Sequence, residues 1–249
     1  MRYFLHLAYN GSRYCGWQRQ PNAVAVQQAL EEALAVVLRQ PVSITGAGRT
    51  DAGVHAACMY AHFDVSEPIA RPDRFISSLN HICGPDIAVY RLIPVSDDAH
   101  ARFDATERSY RYMVTEKKNP FAYPYSWYTP RHLDYDKMNV AASLLLETSD
   151  FTSFAKLHSD AKTNICDVRE AIWRPGREAG EYIFTITADR FLRNMVRAVV
   201  GTLVEVGRGK MDVCDFARII EQRDRCSAGT SMPPQALFLW SVKYPYISD

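Results

Sequence analysis

Hydrophobic and polar residues alternate at the start of the chain and then follow a helical period. Residues 2–9 alternate as in a half-buried strand, and Asn10-Gly11 follows as a turn signal. From Val26 onwards the apolar positions recur at i, i+3, i+4, i+7 and i+8, which is typical of an amphipathic helix. Pro41 ends this helix, because the residue before a proline is pushed out of helical geometry. The beginning of the chain therefore predicts a strand, a loop and a helix.

The pattern along the rest of the chain predicts an α+β protein. Helices are predicted at 71–82, 135–146, 191–206 and 213–222, and strands at 42–45, 57–65, 87–95, 109–115, 168–173, 182–188 and 237–242. Residues 117–130 contain three prolines and five aromatic residues, which indicates a loop or linker. Because both halves mix strands and helices, we expect two similar subdomains, residues 1–105 and 106–249, with the boundary between 100 and 135.

Composition narrows the class of protein. The chain has 249 residues, 47% of them hydrophobic, which can fill a core and excludes a disordered or fibrous protein. No apolar run approaches the roughly 18 residues of a membrane span, and the first residues do not resemble a signal peptide, so we expect a cytoplasmic protein. Six widely spaced cysteines without a C-x-x-C pair indicate neither a zinc site nor a disulfide framework. With a net charge of +1, any nucleic-acid surface must be a local patch.

The glycine-punctuated loop at residues 46–53 is the first candidate for chemistry. It contains Asp51 two residues after Arg49, and two interpretations stay open. The pair is either a structural ion pair or Asx-turn, or Arg49 lowers the pKa of Asp51 by roughly 1–3 units and keeps a nucleophile or base ionised. No metal-ligand spacing surrounds the nearby His55, which favours a structural role for this histidine.

Arginine and tyrosine residues are interleaved in the second candidate segment, residues 101–112. On a strand, Arg108, Tyr110 and Tyr112 share one face and Arg111 lies on the other. Such a strand is suited to stacking single-stranded bases, each worth about 1–3 kcal/mol. An ordinary half-buried strand with partly exposed arginines explains the pattern equally well.

A third candidate segment follows Asp189, which is a good helix N-cap. Arg190, Arg193 and Arg197 are spaced at i, i+3 and i+7, which would place three guanidinium groups along one face of the predicted helix. The face either binds phosphates or is simply solvated.

Taken together, these segments resemble the TruA family of tRNA pseudouridine synthases. The stretch Gly48–Ala56 is similar to the signature loop of that family. The family's order continues through Tyr9–Gly11, Gly16–Gln20, Ala101–Phe103, Arg108–Tyr112, Asp150–Phe154 and Phe191–Arg197. One departure is Ala25, where the family usually has a hydroxyl residue, so we expect a weaker cap on the following helix. Another is Gln235-Ala236-Leu237, which touches only the last strand.

The resemblance implies a fold, a reaction and site residues. It implies the pseudouridine synthase fold, two α+β halves around a central mixed or antiparallel sheet with a cleft between them, and a homodimer that binds tRNA. The implied reaction is isomerisation of uridine to pseudouridine at positions 38, 39 and 40 of the anticodon stem-loop, without cofactor or metal. Asp51 matches the nucleophile, Arg49 its partner that helps hold the flipped nucleotide, and Tyr110 the tyrosine that stacks on the target base and takes part in moving a proton; these three are the implied catalytic residues. The low net charge then requires arginines such as Arg190, Arg193 and Arg197 to gather on one tRNA-binding surface.

Two other classes of protein remain as alternatives at this point. A tRNA-binding module with a degenerate site would keep the arginines and tyrosines, although the intact loop around Asp51 argues against it. An aspartyl hydrolase acting on phosphoesters would usually carry a second aspartate two residues after the first, where this chain has Gly53.

Overall fold

The computed structural model describes residues 1–157 and 162–247, which fold into two compact units. The first unit comprises Met1–Thr106 and Leu239–Asp249, and the second comprises Glu107–Phe238. These units differ from the predicted subdomains mainly in the residues after 238, which group with the first unit.

Strands and helices are interspersed along the chain. The strands are β1 (Arg2–Tyr9), β2 (Thr45–Gly46), β3 (His55–Asp64), β4 (Ile87–Val95), β5 (Glu107–Thr115), β6 (Trp127–Tyr128), β7 (Val168–Pro175), β8 (Glu181–Ala188) and β9 (Leu237–Lys243). The helices are α1 (Val26–Leu38), α2 (Pro72–Cys83), α3 (Tyr135–Ser143), α4 (Met195–Gly207) and α5 (Val213–Gln222). These elements confirm the predicted α+β class. None of the described helices is long and apolar enough to cross a membrane.

In the first unit the strands stand in the order β4-β1-β3-β9, and β2 pairs with β3. β1 runs antiparallel to both β3 and β4, with Leu5 opposite Ala61 and Leu92. Phe4 and Leu5 are both fully buried, so both faces of β1 are covered, which the alternating pattern alone did not indicate. α2 packs against β4 and α1. A strand was predicted at 42–45, whereas β2 begins at residue 45, three residues later than predicted.

Helix α1 buries the face that its periodicity predicts, including the fully buried Leu30 and Leu34. Its N-cap residue is Ala25, and no side chain caps the helix, as expected from the missing hydroxyl. Instead, the first two helical N–H groups donate to the carbonyls of Gly16 and Trp17 at 3.1 and 2.9 Å. The loop before the helix thus provides the acceptors that a capping side chain normally supplies.

In the second unit the strands stand in the order β5-β8-β7 with antiparallel neighbours, and β6 pairs in parallel with β5. Tyr112 of β5 and Phe184 of β8 are opposite each other and fully buried, and Trp173 of β7 is opposite Phe184. β6 lies within residues 117–130, where the sequence predicted a loop. That prediction was wrong for these two residues, because they are a strand only through their hydrogen bonds to β5.

Helix α4 lies at the centre of the second unit, with α3 and α5 packed against it. Nearly all of its residues are buried, which fits its almost continuous apolar sequence. It begins at Met195, four residues later than the predicted start at 191. The preceding Asn194 has a left-handed φ of 66°, so a regular helix cannot extend back through it.

Candidate active site

Asp51 opens a tight turn at the end of the loop at residues 46–53. The Val54 N–H donates to the Asp51 carbonyl at 3.1 Å, and Gly53 between them has a φ of 77°. Glycine adopts this conformation without the strain that a side chain would cause, so the turn explains Gly53. The Asp51 side chain is half-buried and Arg49 is exposed. A carboxylate is thus held on a fixed backbone while remaining open to a ligand.

Two glycines outside the loop allow another segment to lie directly against it. A Cβ atom at Gly11 would overlap the Val54 carbonyl oxygen, and one at Gly16 would overlap the Thr50 carbonyl oxygen. The Trp17 N–H also donates to the Thr50 carbonyl at 3.3 Å. Any side chain at either glycine would force the two segments apart, so residues 11–17 pack directly against the loop and support it.

Two hydrogen bonds made by polar side chains join residues 9 and 11 to residues 50 and 55. The hydroxyl groups of Tyr9 and Thr50 share a hydrogen bond at 2.9 Å. The buried His55 accepts a hydrogen bond at Nδ1 from the Gly11 N–H at 3.1 Å. An accepting Nδ1 carries no proton, so the imidazole acts here as a fixed acceptor. This geometry supports the structural interpretation of His55.

Sequence reasoning missed Tyr9 and Trp17 as parts of this site. Trp17 is buried, and its indole fills the space that a side chain at Gly46 would occupy. The available signal was Gly11 and Gly16 themselves, because a glycine can mark a site where another backbone segment approaches closely, and Tyr9 and Trp17 lie within two residues of them.

In the second unit, Tyr110 lies on β5, opposite Ile186 of β8. Its half-buried ring contacts Phe191 edge to face, with ring centroids 5.0 Å apart and an interplanar angle of 86°. The guanidinium of Arg108 donates to the Asp189 carbonyl at 2.9 Å. The predicted strand is confirmed, and Phe191 of the third segment packs against the Tyr110 ring.

The other residues of the interleaved segment are more enclosed. Tyr112 is fully buried, and its hydroxyl donates to the Pro233 carbonyl at 3.0 Å. Burial raises the pKa of the Tyr112 hydroxyl, and partial burial lowers the pKa of the Arg111 guanidinium. Tyr112 is therefore a core residue, and Tyr110 is the tyrosine of this strand that keeps an accessible surface.

The three arginines predicted to line one helical face do not do so. Arg190 and Arg193 precede α4, and Arg197 alone lies on it. The Arg190 guanidinium lies 3.3 and 3.5 Å from the carbonyl oxygens of residues 163 and 165. The Nε of Arg197 donates to the Met232 carbonyl, whereas Arg193 is exposed. The prediction of a single stripe was wrong.

The physical reason lies in the residues before the helix. Asn194 is left-handed, and its side-chain amide donates to the Ser231 hydroxyl at 2.6 Å. The Asp189 carboxylate, predicted to cap the helix, accepts instead from the N–H groups of Asp167 and Arg190, each at 2.7 Å. It therefore fixes the end of β8 and leaves the helix to begin further along the chain.

Each unit thus contributes its own chemical groups. The first carries the half-buried Asp51 beside Arg49, and the second carries Tyr110 with its arginines. A carboxylate can act as a nucleophile, a guanidinium can stabilise negative charge, and a phenol ring can stack on a base. Within residues 1–157 and 162–247, no three His, Cys, Asp or Glu side chains are grouped to hold a metal ion.

Comparisons with known proteins extend over nearly the whole chain. A family model described as tRNA pseudouridine synthase matches residues 7–104 and 141–245. The chain is 55% identical over 244 residues to "tRNA pseudouridine synthase A" of Parabacteroides distasonis, covering 98% of this chain and 96% of the relative. It is 56% identical to the protein of that name from Bacteroides thetaiotaomicron, covering 98% and 91%, and 38% identical to that of an Exiguobacterium species, covering 96% and 96%. The resemblance noted in the sequence is therefore confirmed, and the chain belongs to the tRNA pseudouridine synthase family of isomerases.

Proposed function

We propose that this protein converts uridine to pseudouridine at positions 38, 39 and 40 in the anticodon stem-loop of tRNA, without a cofactor. The observation that carries the proposal is Asp51, a half-buried carboxylate on a loop whose backbone is fixed by Gly53 and by close contact with Gly11 and Gly16. A nucleophile must stay in place while the base detaches and rotates, and this loop provides such a fixed position.

The proposed reaction changes only the bond between ribose and base. The C1′–N1 bond breaks, the uracil rotates, and a C1′–C5 bond forms, while a proton leaves C5 and another is gained at N1. The Asp51 carboxylate forms the transient covalent bond, either to C6 of the base or to C1′ of the ribose. Neither an oxidant nor a metal is needed for this sequence of steps.

Arg49 and Tyr110 take the supporting roles in this proposal. A stacked uridine must leave its helix at a cost of a few kcal/mol before any side chain can reach it. Arg49, two residues from Asp51, holds the displaced nucleotide by its charge, and Tyr110 stacks on the target base. The edge-to-face contact with Phe191 supports this role, because such a contact favours one orientation of the Tyr110 ring.

Substrate binding is proposed to involve Arg190, Arg193 and Arg197 from three separate positions instead of one helical face. Arg193 is exposed and suited to a phosphate contact, while Arg190 and Arg197 also hold backbone carbonyls of their own unit. We further propose that the protein works as a homodimer in the cytoplasm, where its tRNA substrate is found.

The proposal is tested by replacing Asp51 with Asn and with Ala. Asn has nearly the same size, but its amide oxygen is a far weaker nucleophile, so pseudouridine formation should fall to background while tRNA binding persists. The Ala variant excludes slow deamidation of Asn back to Asp. Pseudouridine is measured on an anticodon stem-loop substrate, together with tritium release from C5.

A matched control is Asp86→Asn, which removes another partly buried carboxylate of the same unit, one that pairs with the exposed Arg13. This variant should isomerise uridine at the wild-type rate. Substantial pseudouridine formation by Asp51→Ala would exclude Asp51 as the nucleophile. A loss of activity that merely follows a loss of thermal stability in both Asp51 variants would instead indicate a structural role.

A further inference from the structure

Every backbone amide of the turn at residues 100–104 has a hydrogen-bond acceptor. The His100 N–H donates to the Asp104 carboxylate at 2.7 Å, and the Asp104 N–H donates to the His100 carbonyl at 3.0 Å. The Ala101 N–H donates to Nδ1 of the buried His62 at 3.1 Å. The next two amides both donate to Nδ1 of His100, at 3.1 and 3.3 Å. Five consecutive satisfied amides make this turn unusually well fixed for a surface segment.

The turn is also tied to other parts of the first unit. The hydroxyl of Tyr244 donates to the Ala101 carbonyl, and that of Tyr246 donates to the Asp104 carboxylate at 2.8 Å. On the other side, the Arg2 guanidinium donates to the Ala99 carbonyl at 2.9 Å. These bonds join the turn to β1 and to the residues after β9, so its position is set by the unit as a whole.

The side chain presented by this fixed turn is an exposed aromatic ring. Phe103 is 73% exposed. Full burial of a phenylalanine side chain stabilises a protein by roughly 1.5–3 kcal/mol, and Phe103 contributes little of this in the free protein. The Arg102 guanidinium carbon lies 5.6 Å from its ring centroid, and the His100 ring lies 4.3 Å away. An aromatic ring held beside a cation on a rigid turn is pre-organised for a planar, negatively charged ligand.

We propose that Phe103 stacks on an unpaired nucleobase of the RNA substrate, while Arg102 contacts the phosphate next to that base. The proposal rests on the proposed function for the class of substrate, and it adds a binding residue outside the loop of Asp51. Stacking on an aromatic ring is independent of base identity, because every base has a π-face. The contact therefore adds affinity for RNA without restricting the sequence that is bound.

The area of the exposed ring favours a base over a second copy of the chain. A phenylalanine side chain offers at most about 250 Å², whereas a stable protein interface buries about 800 Å² per partner. The residues on either side of Phe103 in the turn, Arg102 and Asp104, are charged, and the imidazole of His100 lies against the ring. A single nucleobase matches the area and shape that are available.

The experiment compares tRNA binding by the full-length wild type with Phe103→Leu and Phe103→Tyr. Leu keeps an apolar side chain but removes the π-face, so affinity for tRNA should fall by about 5- to 100-fold. Tyr keeps the ring and should bind as the wild type does. Phe121→Leu, at a residue that is 88% exposed, is the matched control and should also bind normally. A blunt RNA duplex without unpaired bases should bind all four proteins equally.

Other results would overturn the inference. Unchanged tRNA binding by Phe103→Leu, or equal losses with Leu and Tyr, would exclude stacking. A change in the sedimentation of Phe103→Leu without RNA would assign the ring to contact between copies of the chain.

Wild-type pseudouridine formation is measured in parallel, which separates this inference from the proposed function. If the wild type isomerises uridine and Phe103→Leu binds normally, only this inference fails; if it forms no pseudouridine but Phe103→Leu still weakens tRNA binding, only the proposed function fails. A wild type that binds no tRNA overturns both.

Discussion

Two buried histidines of the first unit accept hydrogen bonds from backbone amides. Nδ1 of His55 accepts from Gly11, and Nδ1 of His62 accepts from Ala101. Both bonds require an unprotonated nitrogen, so both side chains stabilise the fold in their neutral form. Burial, together with the charges of Arg2 and the neighbouring imidazole, lowers the pKa of His62 from 6.5 to about 4.

This shift predicts that protonation of His62 contributes to acid destabilisation. Between pH 6.5 and about 4 the unfolded chain binds a proton that the folded chain excludes, so stability falls as the pH falls through this window. The wild type should lose about 2 kcal/mol more than His62→Asn between about pH 7.5 and pH 5. Asn keeps an acceptor for the Ala101 N–H but does not titrate. The measurement is the free energy of unfolding in urea at each pH.

The exposed His81 provides the control for this prediction. His81→Asn should retain the wild-type dependence of stability on pH. If His62→Asn loses as much stability in acid as the wild type does, the titration of His62 is not the cause.

The start of helix α4 depends on one residue with a left-handed backbone conformation. Asn194 has a φ of 66° and bonds to Ser231 through its side chain. The side-chain amide of Asn194 therefore fixes the direction in which the chain enters the helix. The same hydrogen bond holds the segment around residue 231 in place. Because the regular helix does not extend back through Asn194, Arg190 and Arg193 do not share a face of α4 with Arg197.

Substitutions at Asn194 should rank by backbone strain. Asn194→Gly loses the bond to Ser231 but removes the Cβ atom that a positive φ disfavours. Asn194→Ala loses the same bond and keeps a Cβ atom in the left-handed region, which costs about 1–2 kcal/mol relative to glycine. The Gly variant should therefore be more stable than the Ala variant, measured by thermal unfolding.

An exposed position within α3 should give the opposite order. Val140 is solvent-exposed in the helix, so Val140→Ala should be more stable than Val140→Gly by about 1 kcal/mol. An Asn194→Ala variant that equals or exceeds Asn194→Gly in stability would contradict the strain that we assign to this residue.

At the scale of the whole molecule, the proposed reaction uses only groups that the chain itself carries. Pseudouridine formation should therefore continue after treatment with EDTA, with spermidine present to keep the tRNA folded. A metal that generated the nucleophile would contribute several kcal/mol, so its removal would slow the reaction by about 10²-fold or more. Initial rates of pseudouridine formation before and after chelation measure the difference. A loss that added Mg²⁺ or Zn²⁺ restores, with tRNA folding unchanged on a native gel, would show that a metal takes part.

Elements with local signals could be predicted from the amino-acid sequence. The strands β1 and β4 begin and end at the predicted residues, and α1 and α5 begin at theirs. The loop around Asp51 was also visible, because its glycines and charged residues are adjacent in the chain. Side-chain period and turn residues encode such features within a few positions, without reference to distant parts of the chain.

Features that depend on contacts between distant residues could not be predicted and are visible in the folded chain. β6 is a strand because β5 offers it hydrogen bonds, and Gly11 and Gly16 matter because the carbonyls of residues 54 and 50 press against them. The left-handed Asn194 overrides a helical pattern that the sequence carries back to residue 191. In each case the deciding partner lies far away in sequence, and hydrogen bonding and steric contact in the folded state select a backbone conformation that local propensity does not specify.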